Sequence, residues 1–299
     1  MNNSSSVARI AFSSPLQKWQ TATLGGYDSA GAENGSGPVY HVLHGNGFCS
    51  RTLEPLAACV SPEGQWLFTD LPGHGISPTP QESEPDWNEM ADLVARSLRE
   101  RASGPVIGVG HSMGGVVTLL AAAAYPSLFQ RIILLDPVLF TAEVLLGQRL
   151  LRRSGLWRRT ALVKAVSARR RQWSGCESMV DGLRGKSLYR DWHPLALQRF
   201  SEFGTKESPE GISLACDPRW EAAIFGSYPR RLLSSIRRVS CRVDVVMATK
   251  SYPFIKRSVE RAQRVNKNFR AHVFDGSHCF PMENPEATAQ LINRILSER

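Results

Sequence analysis

A chain of 299 residues with 42% hydrophobic and 21% charged content has enough apolar side chains for a full core, either one large α/β domain or a domain carrying an insertion. The polar start, Met1 to Ser6, leads into no apolar stretch, so no secretory signal is expected, and no apolar run approaches the length that a bilayer requires. The six cysteines are scattered and form no Cys-x-x-Cys pair, which argues against a disulfide framework or a zinc site and for reduced thiols in a cytoplasmic protein.

The net charge of +9 is concentrated. Residues 137–240 hold 19 Lys and Arg against 9 Asp and Glu, while the rest of the chain holds 17 against 18. From Arg149 to Arg171 there is no acidic residue at all.

In chain order, Val7 to Phe12 and Trp19 to Leu24 have the pattern of two strands, followed by a glycine-rich loop through Gly25-Gly26 and on to Gly37. Val39 to Leu43 is the next strand and runs into a tight turn at His44-Gly45-Asn46-Gly47-Phe48. A helix from about Thr52 to Val60 leads to the strand Trp66 to Asp70 and a second turn, Asp70 to Ser77. Trp87 to Arg101 repeats Met90, Leu93, Val94 and Leu98 at helical spacing. Pro105 to Val109 reads as a buried strand, and Gly115 to Ala124 as an apolar helix. Between them stands Gly110-His111-Ser112-Met113-Gly114. A strand that turns into a helix through Gly-x-Ser-x-Gly is a nucleophile elbow, and small flanking residues are needed because the serine occupies a strained turn. The serine hydroxyl is then held above the sheet at a helix N-terminus, where the Met113 N–H and the helix dipole can stabilise an oxyanion.

Arg131 to Asp136 is the following strand. From Pro137 the alternation stops, and residues 137–240 read as an inserted helical lid with helices at Thr141 to Leu151, Thr160 to Trp173, Pro194 to Phe203, Pro218 to Phe225 and Arg230 to Ile236. Alternation resumes with Arg242 to Met247, a helix around Ile255 to Val265, the strand Ala271 to Phe274 and a closing helix from Pro285 to Leu296. Residues 1–136 and 241–299 are thus expected to form an α/β core, and 137–240 a basic helical cap. Strand and helix alternation predicts a mostly parallel sheet with helices on both faces, and active sites of such sheets lie at the carboxyl ends of the strands.

Four motifs in order, His44-Gly45-Asn46-Gly47, Asp70-x-x-Gly73-His74-Gly75-x-Ser77, Gly110-His111-Ser112-Met113-Gly114-Gly115 and Gly276-Ser277-His278, resemble the α/β-hydrolase superfamily over nearly the whole chain. The resemblance implies an eight-stranded, mostly parallel sheet with a cap inserted after strand six. A serine nucleophile needs a base and a carboxylate that orients it. His278 is the candidate base. His44 and His74 stand where the superfamily uses them structurally, His111 is fixed within the elbow, His41 and His272 are strand packing residues, and His193 is a cap or substrate contact.

The usual position of the acid, after strand seven, corresponds to Ala248 to Phe254, which holds no carboxylate. Asp136 ends strand six, where haloalkane dehalogenases and some other members carry their acid, and it is the expected orienting acid. Asp275 is the rival, and Asp244 stands too early in its strand. A backbone N–H at Asn46 is expected to complete the oxyanion hole with Met113. Phe48, Phe140 and Phe280 are candidate substrate contacts.

These residues lead to an esterase or lipase-like serine hydrolase acting on an ester with an apolar acyl part. Carbon–carbon bond or thioester hydrolysis by the same residues is the nearby alternative, and a hydrolase-fold binding protein with little turnover is the remote one. Arginines interleaved with leucines in the lid suggest contact with anionic or lipid surfaces. No recognition module supports nucleic acid binding, and no phosphate loop, metal cluster or dinucleotide fingerprint implies a cofactor.

Overall fold

Strands that are apolar on both sides must be covered on both sides, and the central strands of this chain have that character. The computed structural model describes residues 10, 12, 15–29, 37–61, 64–81 and 84–298. The sheet is built from β1 (Gln17–Gln20), β2 (Gly25–Asp28), β3 (Val39–Leu43), β4 (Gln65–Asp70), β5 (Val106–His111), β6 (Phe129–Leu135) and two strands from the C-terminal part, Arg242–Lys250 and Phe269–Ser277. The eight run in the order β1-β2-β4-β3-β5-β6, then Arg242–Lys250, then Phe269–Ser277. Only the pairings of β1 with β2 and of β2 with β4 are antiparallel. The remaining neighbours pair in parallel.

Helices α1 (Glu54–Val60), α2 (Trp87–Arg101) and α3 (Met113–Ala124) alternate with these strands. The inserted segment contributes α4 (Ala142–Arg153), α5 (Ala161–Ser167), β7 (Gln172–Trp173), α6 (Cys176–Arg184), α7 (Pro194–Phe203), β8 (Thr205–Ser208), β9 (Gly211–Leu214), α8 (Pro218–Phe225) and α9 (Leu232–Arg238). The chain then returns to the sheet as β10 (Arg242–Lys250), α10 (Pro253–Val265), β11 (Phe269–Ser277), α11 (Phe280–Glu283) and α12 (Pro285–Ser297). One core layer packs α2, α3, α9 and α10 on one face of the sheet, and a second packs α1 and α12 on the other. Helix α3 is apolar on every side and its Val116, Val117, Leu119 and Ala121 are fully covered, as a helix at the centre of a core requires.

Several expectations are corrected by the structure. Gly25 and Gly26 lie in a strand, not a loop, paired between β1 and β4, and glycine is needed at 26 since a side chain there would run into the Phe68 carbonyl and the Trp19 ring. The strand expected at Val7 to Phe12 falls largely outside the described residues. The helix expected to run to Trp173 stops at Ser167, and Gln172–Trp173 joins β9 and β8 in a three-stranded antiparallel sheet. The inserted segment is therefore not purely helical. Its hairpin turns at Gly211, whose φ of +118° and whose approach to the Trp173 carbonyl exclude a side chain. Helix α9 packs on α3 and α10 and belongs to the core layer, inside the 137–240 stretch expected to be cap.

Candidate active site

The elbow follows from steric necessity. A Cβ on Gly110 would stand 2.6 Å from the Gly114 carbonyl oxygen, and one on Gly114 would stand 2.5 Å from the carbonyl oxygens of Leu43 and His44. With both glycines present, β5 turns directly into α3 and Ser112 adopts φ 54°, ψ −116°, a conformation that non-glycine residues reach only under strain. Its hydroxyl lies 2.9 Å from His278 Nε2, and His278 Nδ1 lies 2.6 Å from Asp136 Oδ2. A carboxylate accepts, so Nδ1–H donates to Asp136 and Nε2 is left to accept the Ser112 proton.

Asp136 is fully buried and is, among the described residues, the other non-glycine residue with positive φ, at 45°. Its N–H donates to the Val246 carbonyl at 2.7 Å, which holds the start of the inserted segment against β10. Its carboxylate accepts the Ala248 N–H at 2.9 Å and the Ser251 hydroxyl. The end of β10 and the first residue after it, a segment with no acid of its own, thus supply two neutral donors to the carboxylate that directly follows β6. Asp275, the rival, is exposed and accepts from the Thr249 hydroxyl at 2.8 Å, away from His278. Asp244 is engaged with Arg131, Arg242 and His272 near the other end of the strands.

The remaining histidines brace this arrangement. Burial lowers His111 to about 3, with the neighbouring His278 adding to the effect, so it is neutral. Its Nε2–H donates to the His278 carbonyl at 2.9 Å and fixes the backbone of the base. His44 accepts the Leu71 N–H and His74 accepts the Gly47 N–H, each at 3.0 Å, so the two glycine-rich turns hold one another. Burial lowers His44 to about 4 and His74 to about 3. His41 meets Thr69 inside the sheet. His193, expected as a cap or substrate contact, accepts the Leu195 N–H at 3.3 Å as the N-cap of α7 and does not line the cavity.

Above Ser112 lies a cavity of about 620 Å³ bounded by the sheet edge and by α4, α5 and α8. Phe48 and Phe140 line it, as does Trp87. Phe280 does not: it is fully buried and stacks on Phe274 with ring centroids 4.4 Å apart, a core residue beneath His278 and not a substrate contact. Asn46 and Met113 line the cavity beside Ser112, and as the first helical residue Met113 has an N–H with no partner within its own helix.

One wall is polar in a way the sequence did not signal. Arg169 donates to both oxygens of Glu221, at 2.9 and 2.7 Å, and to the Tyr189 hydroxyl at 3.1 Å. Burial raises Glu221 and the Arg169 charge opposes that rise. Glu221 also touches Gly47, and its carbonyl accepts the Asn46 side-chain N–H at 3.0 Å. Helix α8 of the inserted segment therefore bears directly on the turn that carries Asn46. Among the described residues, no group of three His, Cys, Asp or Glu is placed to hold a metal ion.

This sheet, with an elbow at the carboxyl edge of its central strand, has the α/β-hydrolase architecture. The model of the alpha/beta hydrolase family matches residues 42–291, and the chain belongs to that family. It is 38% identical over 104 residues to 2-(acetamidomethylene)succinate hydrolase of Mesorhizobium japonicum, covering 35% of this chain and 37% of that protein. It is 32% identical over 102 residues to Esterase Rv0045c of Mycobacterium tuberculosis, covering 34% of each. The alignments thus span little more than a third of these curated relatives. The crystal structure of E-2-(acetamidomethylene)succinate hydrolase superposes with a TM-score of 0.74 at 23% identity, covering 94% of this chain and 99% of that one, which establishes a shared fold.

Proposed function

We propose that this hydrolase cleaves carboxylic esters with an apolar acyl part through an acyl-enzyme on Ser112, with His278 as base and Asp136 as the orienting acid. The observation that carries the reading is the unbroken hydrogen-bonded line Asp136–His278–Ser112, at 2.6 and 2.9 Å, opening on a cavity with walls formed largely by aromatic and aliphatic side chains. Ser112 Oγ attacks the ester carbonyl while His278 Nε2 takes its proton, and Asp136 stabilises the imidazolium. The carbon–oxygen bond of the ester then breaks, and the departing alcohol takes the proton back from His278. Water, deprotonated by His278, releases the acid by the same route. The Asn46 and Met113 N–H groups are assigned to the oxyanion, where loss of one donor typically costs ~10²- to 10³-fold in turnover.

In this reading residues 137–240, apart from α9, act as the cap that closes the acyl site. All six cysteines are unpaired, which supports placing the protein in a reducing, cytoplasmic compartment. No helix among the described residues is long and apolar enough to cross a membrane.

A series of p-nitrophenyl esters of rising acyl length, with wild type and S112A, tests the proposal. The expected profile is kcat/KM rising with chain length until the cavity is full, with S112A reduced ~10⁴-fold or more at every length. S112A turning over at the wild-type rate overturns the assignment. The matching acyl thioesters form the second arm, and a thioester preferred over every ester moves the substrate class.

A further inference from the structure

Helix α4 has two differently used faces. Val144 and Gln148, four residues apart, line the cavity. On the opposite side Leu146 and Leu150, also four apart, are 57% and 58% exposed, an unusual place for a pair of leucines on one helix turn. Beside them Arg149 and Arg153 are exposed and make no ion pair with a described residue. The turn that follows adds Leu156, 46% exposed, with the exposed Arg158 and Arg159. Helix α5 adds Leu162, 53% exposed, and the exposed Lys164.

Leu162 and Leu188 belong to both surfaces: each is about half exposed and each lines the cavity. The apolar surface therefore continues from the cavity wall, across its rim, onto the outer side of the inserted segment. Within the acid-free stretch Arg152 and Arg158 approach the carboxylate of Glu84, Arg169 pairs with Glu221 and Arg171 with Asp217, while Arg149, Arg153, Arg159 and Lys164 make no ion pair with a described residue. On α4 itself Glu143 is the single acid, in the first turn, away from the arginines.

We propose that the outer face of α4, with the turn at Leu156 and the rim leucines Leu162 and Leu188, docks on an anionic lipid bilayer surface and turns the cavity mouth toward it. Exposed leucines interleaved with arginines are what such an interface takes: the apolar side chains enter the acyl boundary and the cations meet the headgroups. A second copy of this chain fits less well, since a two-fold pairing of α4 brings Arg149 and Arg153 of each copy together. Delivery of an acyl substrate from the bilayer rests on the hydrolase reading above, whereas the docking does not.

The test uses flotation with vesicles of phosphatidylcholine alone and with about one third phosphatidylglycerol, on the S112A protein so that turnover plays no part. Binding to the anionic vesicles that weakens with salt, with none to the neutral ones, is expected. L146D/L150D should abolish it, and R149E/R153E should reduce it at least ~25-fold, since each basic residue near such a surface contributes about fivefold. With Ser112 restored, both double variants should hydrolyse a short water-soluble ester at the wild-type rate, because none of the four residues lines the cavity.

No binding to either vesicle, equal binding by L146D/L150D, or binding indifferent to salt overturns the proposal. So does a concentration-dependent dimer in light scattering that L146D/L150D dissolves, which would make this face a self-interface. Vesicle binding by a protein that cleaves no ester keeps the docking and removes the hydrolase reading. Ester turnover without vesicle binding does the reverse.

Discussion

Strands β6, β10 and β11 carry an aspartate–histidine pair toward each end, and the two pairs are close in geometry and unlike in surroundings. At the carboxyl ends His278 lies 2.6 Å from Asp136, and nearer the amino ends His272 lies 2.8 Å from Asp244. Both carboxylates are completely buried. Asp244 also receives the guanidinium groups of Arg131 and Arg242, at 2.8 and 2.9 Å, so its charge is already compensated. Asp136 receives only neutral donors besides the histidine, and its charge remains available to an imidazolium. Only His278 has a serine hydroxyl on its second nitrogen. An aspartate–histidine pair is thus a common structural device, and it becomes a candidate proton relay through what the other nitrogen meets and what else the acid serves.

The largest effect that separates the two ends is loss of the acid itself. D136A is expected to lower kcat ~10⁴-fold, as removal of an orienting acid does. D275A is expected to stay near wild type, since Asp275 is occupied by Thr249. Steady-state rates of the two variants on one ester decide it, and a dead D275A beside an active D136A reverses the assignment.

The position of Asp136, 2.6 Å from His278, shows why part of the proposed site was legible in the sequence and part was not. Asp136 could be placed because it ends a strand next to the elbow strand, and strand ends are marked by the chain itself. The elbow was legible because its pattern is contiguous between a strand and a helix, although only Gly110 answers to backbone within the motif and Gly114 answers to the carbonyls of Leu43 and His44 on β3. Helices α2, α7 and α8 matched their expected bounds because Asp86, His193-Pro194 and Asp217-Pro218 punctuate their starts. The small sheet of the inserted segment was not legible. Its strands are two to four residues long, too short for alternation to show, and their pairing joins Gln172 to Ser213 across the α6–α7 excursion. Arg169 and Glu221 stand 52 residues apart, and nothing local marks either as the other's partner. Phe280 failed as a substrate contact because an aromatic residue two positions after the base turns away from the cavity into the second core layer.

The next effect belongs to the lower pair and is read in stability. Burial alone would raise Asp244, but hydrogen bonds from His272, Arg131 and Arg242 hold it down to about 2, against an ordinary 3.8. The folded form therefore binds this proton less readily than the unfolded chain does. The stabilisation is fully present above pH 4 and is lost as pH falls from 4 toward 2, amounting to about 2 kcal/mol. Urea midpoints across that window should fall more steeply in wild type than in D244N. Parallel acid limbs for the two proteins would show that the arginines do not act through Asp244.

The smallest effect tests the neutral donors that distinguish Asp136. Ser251 occupies the loop where relatives usually carry the acid, and here its hydroxyl donates to the Asp136 oxygen that also faces His278. In S251A the Ala248 N–H and the histidine still satisfy the buried carboxylate, so only one neutral hydrogen bond is lost, about 1 kcal/mol. Two outcomes are then opposed in sign. If Ser251 chiefly fixes the position of the carboxylate, kcat falls roughly fivefold with KM unchanged, because a displaced acid weakens only the transition state in which His278 is charged. If instead it drains negative charge from Asp136, its removal strengthens the pull on the imidazolium and kcat rises. The geometry favours the first, since the Ala248 N–H holds the opposite oxygen and Ser251 alone ties the His278-facing oxygen to the β10 loop. S251T, which keeps a hydroxyl, should recover most of the loss; a variant with unchanged kcat in both substitutions would leave Ala248 and His278 as sufficient anchors of the acid.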